Sequence, residues 1–521
     1  MINKRKMKSL LRSSLLRSGE ERKMKRERKR TGVSRKNMYI LLFSFLFSLF
    51  SFLLHAEPTN YTYNYDFWDE PVASPDAYRP SAYILGESFG IGHFRDPQGL
   101  FVKGNIIYVC DSGNNRIVLL EYVNGEHILN RVVNSVIIDG VESRLSYPTD
   151  IFECREGYLY IADTNNNRIL KLDSDWNYIF SIHRPDDESL DDFVEFQPLK
   201  LIVDFANRIF VQVRNVNKGL MEFDSRGEFS GYMGANKVQF NIIDYVWRFF
   251  STAEQRARQN LFVPTEYNNL VLDSDGFIYV TNSSLMSNVS SYVDPIRRLN
   301  AMGQDILIRN GYHDPYGDLF SGNDDSVAYG WSAFIDVVAF DNDSYACFDR
   351  TRGRIFMYDF QGNLLYAFGG LGNREGYFQL PAAIDRMGDA LYALDSRTTA
   401  ITRFDLTLYG VKINDALNEY KAGRYESSAA VWEEVLKMNG NYDLAYIGIG
   451  RAALRQGEYQ KAMEYFKVKN FREGYGKAFQ LYRKQVVEEN LWKVLLGFAI
   501  VILVPLGVKF SIKLVKEIRE A

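Results

Sequence analysis

Three cysteines and five histidines are all that the 521 residues carry. An odd number of thiols closes no complete disulfide framework. Cys110 and Cys347 each follow a recurring tyrosine by two residues in apolar stretches, and read as small core residues rather than a disulfide or metal set. The histidines (His55, His93, His127, His183 and His313) occupy no equivalent positions in the repeats described below, which argues against a His-ligated metal. A Gly-rich phosphate loop, a nucleophile motif and a paired acid–base set are also missing. Net positive charge is confined to the ends. Residues 1–37 hold 15 Lys/Arg against 3 Glu, and residues 509–521 hold 4 against 2. Between them lie 43 basic and 60 acidic side chains, a net of −17, and such a surface repels phosphate backbones.

What is abundant is aromatic: Phe, Trp and Tyr make up 15% of the chain, which suits sheet-rich packing. The length allows two or three domains. One motif recurs. Tyr160 to Asp173 reads as a strand, a tight Asp/Asn turn and a second strand, and Tyr108 to Ile117 is the same unit. Tyr345 to Ile355 is a third copy. Tyr392 to Asp405 is a fourth, with Ala400 where the others carry arginine. The pairs Asp111/Arg116, Asp163/Arg168 and Asp349/Arg354 keep one offset of five residues, and Asp395 holds the acid position in the fourth copy. A short carboxylate caps such a turn through local backbone N–H groups, and the guanidinium reaches back across the hairpin. Repetition favours an architectural role over a catalytic one. Degenerate copies run from Phe210 to Asp224 and from Tyr279 to Leu299.

This pattern resembles the NHL repeat, the unit of one β-propeller family. Six apolar strands, often introduced by proline, precede the six hairpins, which gives six blades. The segment Tyr366 to Pro381 links blades five and six, and Tyr83 to Pro97 looks like the same outer strand and linker, placed before blade one. Residues 81–86 are therefore expected to supply the outer strand of blade six and so close the ring. The expected fold class is mainly β: a six-bladed NHL-type propeller over residues 81–409, an α-helical module and one transmembrane helix.

Two insertions widen the later blades. Residues 241–260 have helical spacing and read as a helix on the propeller surface or a partner-docking element anchored by Trp247 and Phe250. Residues 309–325 form a polar, acidic, Gly-rich loop, either ordinary surface or a site for a Ca²⁺-like divalent cation, although the spaced loop-plus-Glu pattern is missing. No other cofactor is expected. Residues 57–80 are an aromatic linker whose Tyr61, Tyr63, Tyr65, Phe67 and Trp68 pack on the propeller, stay disordered, or line a sugar site.

After Tyr409 the period becomes helical. Gly423-Arg424-Tyr425 and Gly457-Glu458-Tyr459 are 34 residues apart, as are Trp432 and Phe466. Residues 410–490 thus resemble tetratricopeptide repeats, which implies a groove for a protein partner or a rigid stalk, with Tyr425, Trp432, Tyr459 and Phe466 as candidate contacts. Residues 491–508 carry a single charge, Lys493, and read as a membrane span. The basic tail 509–521 places the C-terminus in the cytoplasm. Residues 1–56 combine a basic leader with an uncharged run, a signal peptide or signal anchor, and translation from Met24 is an alternative start. Both ends inside leaves residues 57–490 outside the cell membrane.

The domain order is similar to that of Gram-positive envelope proteins that accompany sugar-uptake transporters. That likeness implies a non-catalytic tethered scaffold whose partner is a permease or solute-binding protein. A second reading comes from propeller relatives of the lactonase type, which hold a divalent cation with carboxylates and Asn. Asp150, Asp204, Asp273, Asp336 and Asp385 recur near the inner strands and would face the axis of such a metal-dependent hydrolase.

Overall fold

The computed structural model describes residues 62–187, 190, 195–216, 218–234, 267–282, 294–311, 313–319 and 330–520. The segment 1–56, the insertion 241–260 with Trp247 and Phe250, and Asp324 and Asp325 of the acidic loop lie outside the described residues.

Six antiparallel sheets form a closed six-bladed propeller. The innermost strands are Gly99–Lys103, Pro148–Glu153, Pro198–Val203, Tyr267–Leu272, Phe334–Ala339 and Pro381–Met387. Each packs on the next, and the sixth packs on the first. The second strand of each blade is buried on both faces, which is why Ile106–Asp111 or Leu159–Asp163 reads as a continuous apolar run rather than an alternation. Blade six takes its outer strand from the other end of the propeller. Tyr78–Leu85 pairs antiparallel with Ala400–Leu406, from Leu85 opposite Ala400 to Tyr78 opposite Leu406. This hides two edges that would otherwise expose unpaired backbone.

Two features have weaker sequence signals. Thr62–Tyr65 adds to the outside of blade five by pairing with Leu364–Gly369, and Pro71–Ala73 follows it, so the aromatic stretch is built into that sheet. Between blades one and two, Ser135–Ile138 and Val141–Arg144 form a separate hairpin. Its turn is Asp139-Gly140, both at positive φ, the sequence that suits a two-residue connection.

Five helices follow: α1 (Leu408–Lys421), α2 (Tyr425–Met438), α3 (Asp443–Gln456), α4 (Tyr459–Val468) and α5 (Arg472–Glu520). Thr407 caps α1 by accepting from the Gly410 N–H at 3.3 Å, while its own hydroxyl donates to the Asp76 carbonyl at 2.6 Å. The helices do not hang from the propeller as a separate body. Phe348, Tyr366, Phe368 and Phe404 of blades five and six share one buried core with Tyr409, Ile413, Trp432, Tyr442 and Ile449. The Tyr442 hydroxyl donates to the Leu365 carbonyl at 2.9 Å, and Lys421 meets Asp343 at 2.5 Å.

This core corrects the expectation that Trp432 and Phe466 receive a partner. Trp432 is 3% exposed and Phe466 fully buried, the first in the propeller–helix core and the second among α3, α4 and α5. Small residues make the room: a side chain at Gly448 would collide with the Trp432 indole, and one at Gly450 would lie 2.6 Å from the Phe466 ring. The tetratricopeptide spacing therefore marks interior knobs. Tyr425 and Tyr459, at the starts of α2 and α4, stay half-exposed.

Helix α5 leaves this core and runs on without a break for 49 residues, roughly 74 Å at 1.5 Å per residue. Gly474 and Ala478 near its start are buried against α3 and α4, whereas nearly every residue from Leu491 onward is exposed. Among the described residues it is the one helix long and apolar enough to cross a membrane.

Trp432→Ala is expected to cost the whole chain about 3–5 kcal/mol, the range for emptying a large buried aromatic site. Urea unfolding followed by helix and by aromatic signals checks this: one shared transition, moved to lower urea, is the outcome of a shared core.

Candidate functional site

Where the six inner strands converge they line an axial cavity of about 590 Å³. Strand pairing defines one ring of equivalent positions, each facing the last residue but one of the second strand: Gly99, Asp150, Lys200, Asn269, Asp336 and Ala383. Asp385 lies one layer further along blade six. Of the five acids read as facing the axis, Asp150, Asp336 and Asp385 belong to the interior of the ring. Asp204 and Asp273 instead sit at the turn after the inner strand. Asp204 accepts from the Ala206 and Arg208 N–H groups at 2.9 Å, and Asp273 does the same with Asp275 and Phe277. Their other oxygens pair with Arg208 and Arg298. These two are turn caps.

The axial acids bind backbone of the next blade. Asp150 accepts from Leu201 N–H at 2.9 Å, Asp336 from Ile384 N–H at 2.8 Å, and Asp385 from Val102 N–H at 2.6 Å. Asp336 also accepts from its neighbour Val337 and from the Asn269 amide. Lys200, 3.6 Å from Asp150, is the cation of the ring. Burial raises the Asp150 carboxyl above its ordinary range, and Lys200 offsets part of that rise. Burial also works against the Lys200 ammonium, but Asp150 and Asp336 outweigh it and hold the ammonium above its usual value. Burial pushes Asp336 and Asp385 up to about 7 each, against the pull of their N–H donors.

Such a site resists the hydrolase chemistry. The carboxylate oxygens already serve as inter-blade clamps, and no group of three His, Cys, Asp or Glu converges in metal-holding geometry among the described residues. The ring does not fit a divalent cation, and no reaction step is derived through one. The acidic loop fares similarly at Asp318, which is 2% exposed. Its oxygens meet Arg354, Arg352 at 3.2 Å, and the Tyr63 and Tyr65 hydroxyls at 2.5 and 2.7 Å.

That cluster also alters the reading of the repeat turns. Asp111 and Asp163 bond Arg116 and Arg168 at 2.6 and 2.8 Å. Their second oxygens accept no N–H of their own turn. They take the Arg95 and Ser146 N–H groups at 2.7 Å, from the linkers entering each blade. Asp349 accepts from Ala333, Thr351 and Arg352 N–H, and Asp395 from Gln379, Leu380, Arg397 and Thr398 N–H. Arg354 departs from the expected pairing with Asp349. It turns to Asp318 and to the Tyr63 hydroxyl at 2.9 Å, because the added strand Thr62–Tyr65 brings two phenols to that side, where they meet the buried acid Asp318 of the acidic loop. Without a guanidinium, Asp349 is raised by burial to about 6. Lys200 and Asn269, which complete the axial ring, were not read as site residues. Pro148-Thr149-Asp150 and Pro198-Leu199-Lys200 share one spacing, and aligning the copies on proline would have placed the lysine opposite the acid.

A family model for the tetratricopeptide repeat matches residues 414–471. No curated protein matches the chain. Among solved structures, the chain is similar to virginiamycin B lyase from Staphylococcus aureus at 11% identity, over 63% of this chain and all of that one, with a TM-score of 0.38. A streptogramin B lyase gives 12% identity over 64% of this chain and all of that one, with a TM-score of 0.37. The extracellular domain of a hybrid two-component system from B. thetaiotaomicron gives 11% over 64% of this chain and 43% of that one, at 0.34. None of these likenesses bears on activity. The chain is a six-bladed propeller carrying a tetratricopeptide module and a long apolar C-terminal helix.

Asp336 generates a pH dependence of definite sign. A carboxyl at about 7 in the folded state and about 4 unfolded keeps its proton longer when folded. Its contribution is complete below about pH 4 and is lost as pH rises through about 7. Asp336→Asn is expected to flatten that fall by roughly 2–4 kcal/mol. Urea midpoints at about pH 5 and about pH 8 measure it; equal slopes in both proteins would show that Asp336 ionises freely.

Proposed function

We propose that this protein is a membrane-tethered interaction scaffold that holds a propeller and a tetratricopeptide module as one rigid head outside the cell. The observation that carries the reading is the single core that joins blades five and six to α1–α3, followed by a continuous helix from that core to the apolar segment. A head fixed in this way presents partner-binding surfaces at a set distance from the membrane, and tetratricopeptide helices commonly bind protein segments. Lys509, Lys513, Lys516 and Arg519 after the apolar run support a cytoplasmic tail with the head on the opposite side. The axial carboxylates support a non-catalytic role, since their oxygens are engaged in backbone clamps. The likeness of domain order to sugar-uptake companions supplies one partner class, a permease or solute-binding protein. Of the residues read as contacts that are described, Tyr425 and Tyr459 keep solvent-facing surface.

Mild detergent extraction of the full-length protein from its own membrane, followed by mass spectrometry, tests this reading. A stoichiometric envelope protein that co-purifies, and is reduced at least several-fold by Tyr425→Ala/Tyr459→Ala, is the expected result. Deleting residues 410–490 is the poorer variant because it strips the propeller core. Recovery of the protein alone, in amounts that the double variant does not change, overturns the scaffold.

A further inference from the structure

Where α1 crosses the underside of blades five and six, a cleft of about 510 Å³ separates the helix from the propeller. Its size falls within the range of small-molecule sites. It adjoins the axial cavity, since Asp341 and Arg386 line both. Asn414, on the α1 side, is 8% exposed, and its Oδ1 has no hydrogen-bond partner. A buried acceptor left unmatched costs free energy, which makes it informative in a wall otherwise well supplied with bonds.

The donors around it are already committed. Arg386 gives Nε to the Ala339 carbonyl at 2.8 Å, Nη1 to the Gly388 carbonyl at 3.2 Å and Nη2 to Asp341 at 2.5 Å. Lys421 is held by Asp343, and Asn342 donates to the Asn418 side chain at 3.1 Å. The acceptors are not committed in the same way. Asp389 and Asp415, both lining the cleft, make no salt bridge among the described residues. Lys412, whose ammonium feels the Asp415 carboxylate, is itself ion-paired to Glu434 at 2.7 Å. With Asp341, Asp389 and Asp415 against Arg386 and Lys421, the lining of the cleft carries a net charge of −1. It offers acceptors and lacks a matching donor.

We propose that the cleft between α1 and blades five and six binds an organic ammonium group, with Asn414 Oδ1 and the Asp389 and Asp415 carboxylates as its acceptors. A primary ammonium supplies three N–H donors and one positive charge, the complement of one neutral and two anionic oxygens. The methylene chain of such a ligand lies along Leu406 and Val411, which with Phe340 and Ala422 form the apolar part of the wall. The source is either a free amine or the side chain of a lysine. The assignment stands apart from the scaffold reading, because absence of a partner protein would overturn that reading and leave this one intact.

Calorimetric titration of the full-length protein in detergent micelles tests it, with putrescine, Nα-acetyl-lysine methylamide and butanediol as probes. Saturable binding of an amine, with none of the uncharged diol, is expected. Asp389→Asn/Asp415→Asn weakens it about ten-fold or more, as expected when charge-assisted bonds are lost. Asn414→Leu, which fills the site without an acceptor, does the same. The two aspartates have solvent-facing surface, so their variant keeps the test valid even if the buried Leu substitution unfolds the chain. Tighter binding of putrescine identifies a free amine, and tighter binding of the lysine amide a protein side chain; both uphold the site. No saturation by either amine, or affinity unchanged in the aspartate variant, overturns it.

Discussion

The pairing of Tyr78–Leu85 with Ala400–Leu406 is the contact on which the rest of the molecule depends. It joins two segments more than 300 residues apart, so its backbone bonds close a long loop and must offset the entropy of that closure. It also fixes where the helices start. Thr407 donates its backbone N–H to the Ala77 carbonyl at 2.9 Å, and a side chain on Gly410 would lie 2.6 Å from the same oxygen. The last strand of the ring, the first turn of α1 and the segment before Tyr78 are therefore one joint. Tyr78 stacks on Phe368 within the shared core and donates to the Asp389 carbonyl at 2.9 Å, which ties the joint to the wall of the cleft.

Inside the ring, electrostatics and topology act together. Neighbouring inner strands belong to separate sheets and share no ladder of backbone bonds, so side chains bridge the gaps. Asp150, Asp336 and Asp385 do this toward the following blade. Ser112 and Thr164, one residue past the turn acids, do it near the turns, donating to the Pro148 and Pro198 carbonyls at 2.6 and 2.7 Å. A carboxylate in this position accepts N–H bonds that favour its charge, yet burial outweighs them at Asp336 and Asp385. Two acids that change ionisation near neutrality sit on the axis because architecture put them there. Perturbed acids in a cavity are a common signature of catalysis. Here their hydrogen bonds assign the cause to the fold.

The sequence carried the propeller in its turn chemistry. Four residues after each repeat acid the backbone is left-handed: Asn115, Asn167, Gly353 and Thr399. Asparagine and glycine tolerate that conformation and mark the first three turns; Thr399 is β-branched, so the fourth copy is legible from its strands and Asp395 rather than from that turn position. Offsets along the chain could not disclose partners from elsewhere. Arg354 keeps the spacing of Arg116 and Arg168 but bonds Asp318, because a strand from residues 62–65 arrives on that edge alone. Trp432 and Phe466 show the same limit. A 34-residue period marks positions that are structurally equivalent, and equivalence in a repeat is more often packing than recognition. Asn414 had no local signal at all, since what sets it apart is the propeller surface that α1 happens to cross.

Coupling follows from where the shared core lies. A tetratricopeptide unit of two repeats has little interior of its own, and here its deficit is met by blades five and six rather than by further repeats. The consequence is mechanical. A displacement of α1 relative to α2 would have to move Trp432 and Tyr442 against Leu365, Tyr366 and Phe404, within a core that resists compression. Force or binding energy delivered at the helices is thus transmitted to blade five and to blade six, which carries the ring closure, and also to α5, whose first turns pack on α3 and α4. The cleft with its unmatched Asn414 lies on this same joint, between the helix that starts the module and the blades that anchor it. A ligand seated there would touch both bodies at once, and its differential contact with them is what would be needed to bias their relative position.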